Sequence, residues 1–204
     1  MRRIIFTILA LLATLPALAY QVMTPKGVMD AGYSNSEGLK ASYSAVAPDI
    51  APAATATDIV VLKASATKTI RVTLITVSGD ATLDNTIDLY VYKRTTANTG
   101  GTTAAITPVA HDSNDAATTA TVVKYTANAA TLGTGNLIRA GHYALPASAG
   151  PKVPVVALAW EFGTRNAKTF VLKAGSNESI AVSMAGGAVP TGTQLYVNIE
   201  WTEE

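Results

Sequence analysis

The feature that most constrains this chain is the segment 68–101, where two runs rich in β-branched residues flank a turn-rich spacer. In the second run, apolar residues alternate with polar and tyrosine residues: Ile87, Leu89 and Val91 against Asp88, Tyr90 and Tyr92. Side chains of a β-strand point to opposite faces in turn, so one face of this run suits a core and the other suits solvent or a partner. A chain built on such runs is expected to form sheets.

The first run, residues 69–78, changes phase along its length. One face carries Ile70, Val72 and Leu74, and the opposite face carries Ile75 and Val77. This slip of one residue predicts a β-bulge or a strand that is buried on both sides. Turn-forming residues at 78–80 and 84–85 separate the two runs. They predict a hairpin with a long connection.

The same idiom of short strands and polar turns continues through residues 53–204. Further strands are predicted at Asp58–Lys63, 103–109, 121–125, 137–145, 155–162, 170–173, 179–184 and 194–201. The run VVALAWEF at 155–162 is almost wholly apolar, which is typical of a central strand. Helical periodicity is missing beyond the N-terminal region. We therefore expect an all-β, antiparallel, jelly-roll-like sandwich in a single domain with an N-terminal arm.

The N-terminal region has the pattern of a secretion signal. Arg2 and Arg3 precede a mostly apolar run at 4–15, and Ala-Leu-Ala at 17–19 fits a cleavage site. Residues 1–19 are thus predicted to be a cleaved signal peptide that leaves no stable membrane span, and the alternative is an uncleaved tether. Residues 20–52 are interpreted as an extended arm or a disordered tail. A used leader predicts a secreted or cell-surface protein.

The composition argues against nucleic acid and anionic membranes as partners. Charged residues are only 14% of the chain, where about 25% is usual. Without Arg2 and Arg3, thirteen basic residues remain against fourteen acidic ones. Such a balance provides no basic footprint. A surface completed by Thr, Ser, Asn and Ala is poorly protected against self-association, so a homo-oligomer is expected.

Several segments together carry a resemblance to a known group of proteins. They are ATKTIRV at 66–72, KRTTANTGGT at 93–102, HDSNDAA at 111–117, YTAN at 125–128, FGTRN at 162–166 and IEWTE at 199–203. In this order they resemble small β-sandwich proteins of tailed phages, prophages and environmental viral sequences.

The resemblance covers about residues 53–204 and implies a virion structural or decoration protein, with other virion or surface proteins as partners. It implies assembly rather than catalysis, and it carries over no functional residues. A secretion signal departs from this pattern, because virions assemble in the cytoplasm. Either the sandwich is an exported derivative, or the leader prediction is wrong. The resemblance alone favours a virion location.

No motif for catalysis or for a cofactor stands out, and the chain is predicted not to be an enzyme. It has two histidines, His111 and His142, without the spacing of a zinc site, and it lacks a G-x-S-x-G elbow. The polar cluster at 111–115 offers Asp112, Asn114 and Asp115 as weak calcium ligands. Because Asp and Asn also bond their own backbone, a self-capped turn is the preferred interpretation. The Gly-rich residues 98–102 are likewise interpreted as a turn.

Aromatic residues provide the one candidate for a binding surface. Tyr90 and Tyr92 share the outward face of their strand and, with Tyr196 and either Trp160 or Trp201, could form a platform for a glycan. Exposed tyrosine pairs more often pack across strands or in subunit interfaces. Two hypotheses follow: a self-associating structural protein of virion type, and a secreted carbohydrate-binding or adhesin-like module.

Overall fold

The computed structural model describes residues 40–149, 156–164 and 168–204. This part of the chain contains twelve β-strands and no α-helix. The strands are β1 (Ser42–Ile50), β2 (Asp58–Lys63), β3 (Ile70–Asp80), β4 (Asn85–Arg94), β5 (Thr102–Ile106), β6 (Val109–Ala110), β7 (Thr121–Ala127), β8 (Gly135–Leu145), β9 (Leu158–Glu161), β10 (Phe170–Leu172), β11 (Ser179–Ser183) and β12 (Gln194–Glu203). Among the described residues, no helix is long and apolar enough to cross a bilayer.

The strands form two antiparallel sheets of six strands each. The first has the order β10-β3-β12-β1-β6, with β9 also paired to β3, and the second has the order β5-β7-β2-β11-β4-β8. The pairs are nested, because β1 pairs with β12, β2 with β11, β3 with β10 and β4 with β8, and successive pairs alternate between the sheets. This winding is that of a jelly roll. The expected all-β antiparallel sandwich is therefore confirmed.

Three strands from the middle of the chain extend the two sheets. Strands β5, β6 and β7 follow β4 and precede β8. The pair β5·β7 joins the second sheet beside β2, whereas the two-residue β6 joins the first sheet beside β1. The segment between β4 and β8 therefore adds strands to one edge of each sheet.

The core lies between the two sheets. Strand β12 contributes Leu195, Val197, Ile199 and Trp201, all at most 1% exposed. The second sheet contributes residues such as Leu89, Val91 and Ile180 to the same cluster. Burying a large apolar side chain stabilises a fold by about 1.5–3 kcal/mol. The alternation of apolar and polar residues in β4 and β12 thus places the apolar side chains of both strands in the space between the sheets.

The predicted hairpin of the two long runs is wrong, although both strands exist. Strand β3 pairs with β12 in the first sheet, whereas β4 pairs with β11 and β8 in the second. Residues 81–84 carry the chain from one layer to the other. The predicted turn at 78–80 is wrong, because these residues extend β3 and pair with β12. The predicted bulge in β3 is confirmed, because its pairing with β12 shifts between Val72 and Leu74. The buried phase passes from Val72 to Ile75 as a result.

The predicted central strand at 155–162 is also wrong. Strand β9 spans only Leu158–Glu161 and, within the described residues, pairs with β3 alone. Ala159 and Glu161 are exposed, and only Trp160 of this strand is fully buried. The run looked apolar partly because it contains alanine. Alanine occurs on buried and exposed faces alike, so it does not indicate which face of a strand is buried. Strands β12 and β11 occupy the central positions instead.

The sandwich begins earlier than residue 53. Strand β1 belongs to residues that the sequence assigned to the arm, and it pairs with β12 and β6. Its buried face is formed by Tyr43, two alanines and Ile50, and Pro48 interrupts the pattern, so its hydrophobic signal is weak. Residues Leu39–Glu204 form one compact unit. The predicted leader, and the arm before residue 40, lie outside the described residues.

Candidate functional site

The tyrosines expected to form a platform are divided between the two outer faces. Tyr90 and Tyr92 lie on β4 in the second sheet, with ring centroids 6.3 Å apart and planes at 45°. Tyr196 lies on β12 in the first sheet, is 40% exposed and donates a hydrogen bond to Asp49 over 2.7 Å. On both strands the tyrosines alternate with residues of the core that lies between the sheets. The tyrosine pair on β4 and Tyr196 on β12 therefore face opposite directions. The three side chains do not form one surface.

Other aromatic groups do not complete the platform. The guanidinium carbon of Arg94 lies 4.5 Å from the centroid of Tyr92 and covers that ring. Trp160 and Trp201 are 7% and 0% exposed and belong to the core. A glycan would therefore meet Tyr90 without a second open ring beside it.

A buried ion pair lies under the loops of the second sheet. Arg94 donates to both carboxylate oxygens of Asp58, over 3.1 and 2.7 Å, and to the carbonyl of Gly133 over 3.1 Å. Asp58 is 0% exposed and also accepts from Asn98 over 2.8 Å. Two parallel bonds from a guanidinium to a carboxylate fix both distance and orientation. The pair holds the start of β2 to the end of β4.

The same pair anchors two loops, at 95–101 and at 128–134. The loops bond to each other through reciprocal backbone bonds between Thr99 and Thr131, over 2.9 and 3.1 Å. Gly133 donates to Asn98, and a Cβ at Gly133 would lie 1.9 Å from a backbone oxygen. Gly100 and Gly101 adopt φ of 67° and 78°, the left-handed region that glycine favours. The turn interpretation of 98–102 is confirmed.

A second buried charge, the carboxylate of Glu203, binds the loop that precedes β7. The side chain of Glu203 has no exposed surface and accepts hydrogen bonds from Thr118, from the backbone of Thr119 and Ala120, and from the Trp201 indole. Burial by itself would raise the pKa of this carboxyl, but these hydrogen bonds outweigh it and hold the pKa below its usual value. Glu203 therefore fastens the loop at 118–120 to the last strand.

The polar cluster at 111–115 forms a local turn. Asp112 Oδ1 accepts from the backbone and from the side-chain amide of Asn114, over 2.8 and 2.9 Å, and the Asp112 carbonyl accepts from Asp115 N. Nearby, the Tyr43 hydroxyl donates to the Ala116 carbonyl over 2.8 Å. The described residues contain no group of three or more His, Asp and Glu that could hold a metal ion.

The two histidines lie apart. His111 Nδ1 is 3.2 Å from the Ser42 hydroxyl beside β6 in the first sheet. His142 Nδ1 is 2.7 Å from Asp88 Oδ1 on the exposed face of the second sheet, where the two residues are direct cross-strand partners. Both members of this pair are more than half exposed. Solvent screens such a pair strongly, so it contributes little to stability.

Strand β8 is the long edge strand of the sandwich. It has eleven residues and, within the described ranges, pairs only with β4. Its first half is guarded by a bulge at Ile138 and by Arg139, whose guanidinium lies 5.4 Å from the centroid of the Phe162 ring in the core. Bulges and charged side chains on an edge strand oppose pairing between edges. The second half, from Ala140, has neither device.

An open groove of about 880 Å³ continues from that second half of β8. Its apolar lining includes Tyr143, Leu145, Pro146, Val156 and Leu158. Val156 is 87% exposed. A row of edge backbone groups beside an apolar groove is the arrangement to which an extended strand can add.

The other edges of the described strands are better protected. The other edge strands are short: β5 has five residues, β6 two, β9 four and β10 three. Strand β1 carries Pro48 and a residue with positive φ, Asp49, and Lys124 bonds the Pro48 carbonyl over 3.0 Å. Short length, proline and lysine all discourage pairing. The open half of β8 is therefore the best candidate for an assembly surface.

Neither buried carboxylate, Asp58 or Glu203, has a clear signal in the sequence. Asp58 stands at the start of a strand, and Arg94 at the end of another, where charged residues are ordinary. The weak signal for Asp58 was a carboxylate directly preceding four apolar residues of a buried strand. Comparisons of this chain with protein-family models, with curated proteins and with solved structures find no match.

Proposed function

We propose that this protein is a non-enzymatic structural protein that assembles with copies of itself, either in a virion or as an exported derivative of a virion-type sandwich. The observation that carries the proposal is the second half of β8, which among the described residues pairs with no strand besides β4 and lies beside an apolar groove. The resemblance to virion structural proteins and the jelly-roll winding agree with it. The low content of charged residues adds a surface with little repulsion between copies.

The occupant favoured for this edge is β8 of a second copy. A two-fold contact between identical edges is self-complementary, and it covers the β8 edge of both copies. Ala140, His142 and Ala144 are exposed along the strand, and the two alanines leave room for a neighbouring strand. Main-chain hydrogen bonds would then provide affinity, and the groove would receive side chains of the neighbour.

Lysine substitutions on the edge provide the test. We expect the doubly substituted protein Ala140→Lys/Ala144→Lys to weaken self-association at least about tenfold, because like charges would meet across the two-fold contact. Both positions are solvent-exposed, so the fold should be retained. Mass photometry and light scattering over a concentration series would measure the dissociation constant.

The matched control is Ala105→Lys, an exposed alanine on β5 at the opposite edge of the same sheet. It should leave association unchanged. A wild-type protein that stays monomeric at high concentration would contradict the proposed function. Association that survives the double substitution would instead move the contact away from β8.

A secreted carbohydrate-binding or adhesin-like module is the second candidate. The divided tyrosines do not support it, but a small polar pocket elsewhere on the second sheet does. That pocket is independent of the β8 edge, so both properties can exist in one protein.

A further inference from the structure

A small pocket of about 170 Å³ lies on the outer face of the second sheet. Its floor includes Val61 of β2 and Tyr125 of β7, and one wall is formed by Asn98 of the loop that the buried ion pair anchors. The opposite wall is the turn before β11, with Asn177 and Glu178. Both walls are held in place by hydrogen bonds, so the pocket is preformed.

Two hydroxyl groups in the pocket lack partners within the described part of the chain. Tyr125 is 8% exposed and Ser179 is 5% exposed, and both line the cavity. A few side-chain oxygens of this structure have neither solvent contact nor a hydrogen bond. The hydroxyl oxygens of Tyr125 and Ser179 are not among them. Their oxygens therefore reach accessible space, and the pocket supplies it. Buried polar groups are normally paired, so these two hydroxyls point to a polar occupant.

The charged groups at the rim are one ion pair and one exposed lysine. The Glu178 carboxylate is fixed by Lys93 Nζ at 3.0 Å and by the backbone N–H of Lys173 at 2.9 Å. Burial would raise the pKa of Glu178, but these two donors outweigh that effect and lower it, so the group is an ionised acceptor at neutral pH. Lys63 provides an exposed ammonium donor on the other side. Lys93 and Glu178 neutralise each other, and the charge of Lys63 is exposed and screened by solvent, so the pocket does not select strongly for a charged occupant.

We propose that this pocket binds one ring of a neutral sugar, as the terminal unit of a glycan. Sugar hydroxyls both donate and accept, which matches the Glu178 carboxylate as acceptor, Lys63 and Asn177 as donors, and the free hydroxyls of Tyr125 and Ser179. The apolar side chains of Val61, Ala64 and Ala97 offer contact for the C–H groups of the ring. The site is distinct from the assembly edge and from the tyrosine pair on β4.

The size of the cavity limits the ligand. Pockets that enclose drug-sized molecules have volumes of about 300–1,000 Å³, so a cavity of this size accepts a single ring and not a chain. An open, preformed site of this kind without a stacking platform is expected to bind a monosaccharide with a dissociation constant of about 1 mM. The two pockets of the proposed dimer would raise the effective affinity for a surface that displays several such sugars.

The test is a titration of the full-length protein with glucose, galactose, mannose and N-acetylglucosamine, followed by NMR chemical shifts. At least one of these sugars should shift resonances of Tyr125 and Asn177 in a saturable manner. Tyr125→Phe removes one oxygen and keeps the ring, and it should weaken binding at least about fivefold, as should Ser179→Ala. Tyr90→Phe, on the same outer face but outside the pocket, should bind as the wild type does.

Three outcomes would overturn the proposal. The first is no saturable shift with any of the four sugars at concentrations well above the expected dissociation constant. The second is binding that neither Tyr125→Phe nor Ser179→Ala weakens. The third is binding that Tyr90→Phe abolishes, because that result would return the site to the tyrosine pair. Oligomer mass measured on the same variants should stay unchanged, which separates this site from the β8 edge.

Discussion

Replacing Arg94 by alanine is expected to lower the free energy of unfolding by about 3–5 kcal/mol, because it leaves the Asp58 carboxylate buried without its partner. Asp58 is fully buried, and Asn98 would be its one remaining donor among the contacts of this network. For a domain of this size, the loss corresponds to a fall in melting temperature of about 10 °C. Thermal and urea unfolding followed by circular dichroism would measure it.

The control for this prediction is Arg71→Ala. Arg71 pairs with Glu204 where both side chains are partly exposed, so its removal should cost less than about 1 kcal/mol. The doubly substituted protein Asp58→Ala/Arg94→Ala should lose less than the sum of the two single changes, since no charge is then left buried alone. Single changes that cost as little as Arg71→Ala would show that the pair is not a structural anchor.

Replacing Glu203 by glutamine is expected to remove about 3 kcal/mol at neutral pH, because hydrogen bonds to an ionised group contribute about 1.5–3 kcal/mol each and an amide cannot accept all of these donors. The carboxyl pKa is lowered in the folded protein relative to the ordinary value of 4.5. Its contribution is therefore fully present above about pH 4.5 and is lost as pH falls through the folded-state pKa.

The pH dependence distinguishes Glu203 from a merely well-packed residue. The free energy of unfolding of the wild type should fall on the acid side of pH 4.5 more steeply than that of Glu203→Gln, as measured by urea unfolding between pH 3 and pH 7. Glu204→Gln is the neighbouring control. Its hydrogen bonds to Lys40 and Arg71 also lower the pKa of Glu204, but at a more exposed position, so this change should affect the acid slope less. Identical acid slopes for wild type and Glu203→Gln would exclude the role assigned to this carboxylate.

Features that depend on neighbouring residues were predictable from the sequence. The bounds of β2 match the prediction, and β12 extends the predicted strand by two residues, because alternation is a local property of the backbone. The bulge in β3 and the glycine turn at 98–102 are local for the same reason. These patterns were sufficient to identify the fold class.

Features that depend on distant partners were not predictable. The turn residues between β3 and β4 require only that the chain change direction, and they contain no information on whether the next strand joins the same sheet. Strand β1 shows the converse, since its weak apolar pattern becomes buried only because β12 lies beside it. Single-strand patterns cannot specify such pairings.

The candidate sites illustrate the same limit. Asp58 and Arg94 are 36 residues apart, and Glu203 lies 85 residues from Thr118, so neither cluster has a motif with fixed spacing. The prediction of a tyrosine platform was wrong for the same reason. Period-two alternation indicates that a residue faces outward, but it does not indicate to which sheet the residue belongs. The pocket beside Tyr125 combines β2, β7 and two turns, and only the assembled sheet brings them together.

The central position of β12 has a consequence for synthesis. Strands β1 and β3 both pair with β12 in the first sheet. During synthesis, the backbone groups that face β12 therefore stay unpaired until residue 203 has left the ribosome. The native pairings span most of the chain, so the first sheet cannot be completed before the last strand has been synthesised. During that interval the unfinished product is prone to stick to others like it, and ribosome-associated chaperones should be needed most in the last steps of translation.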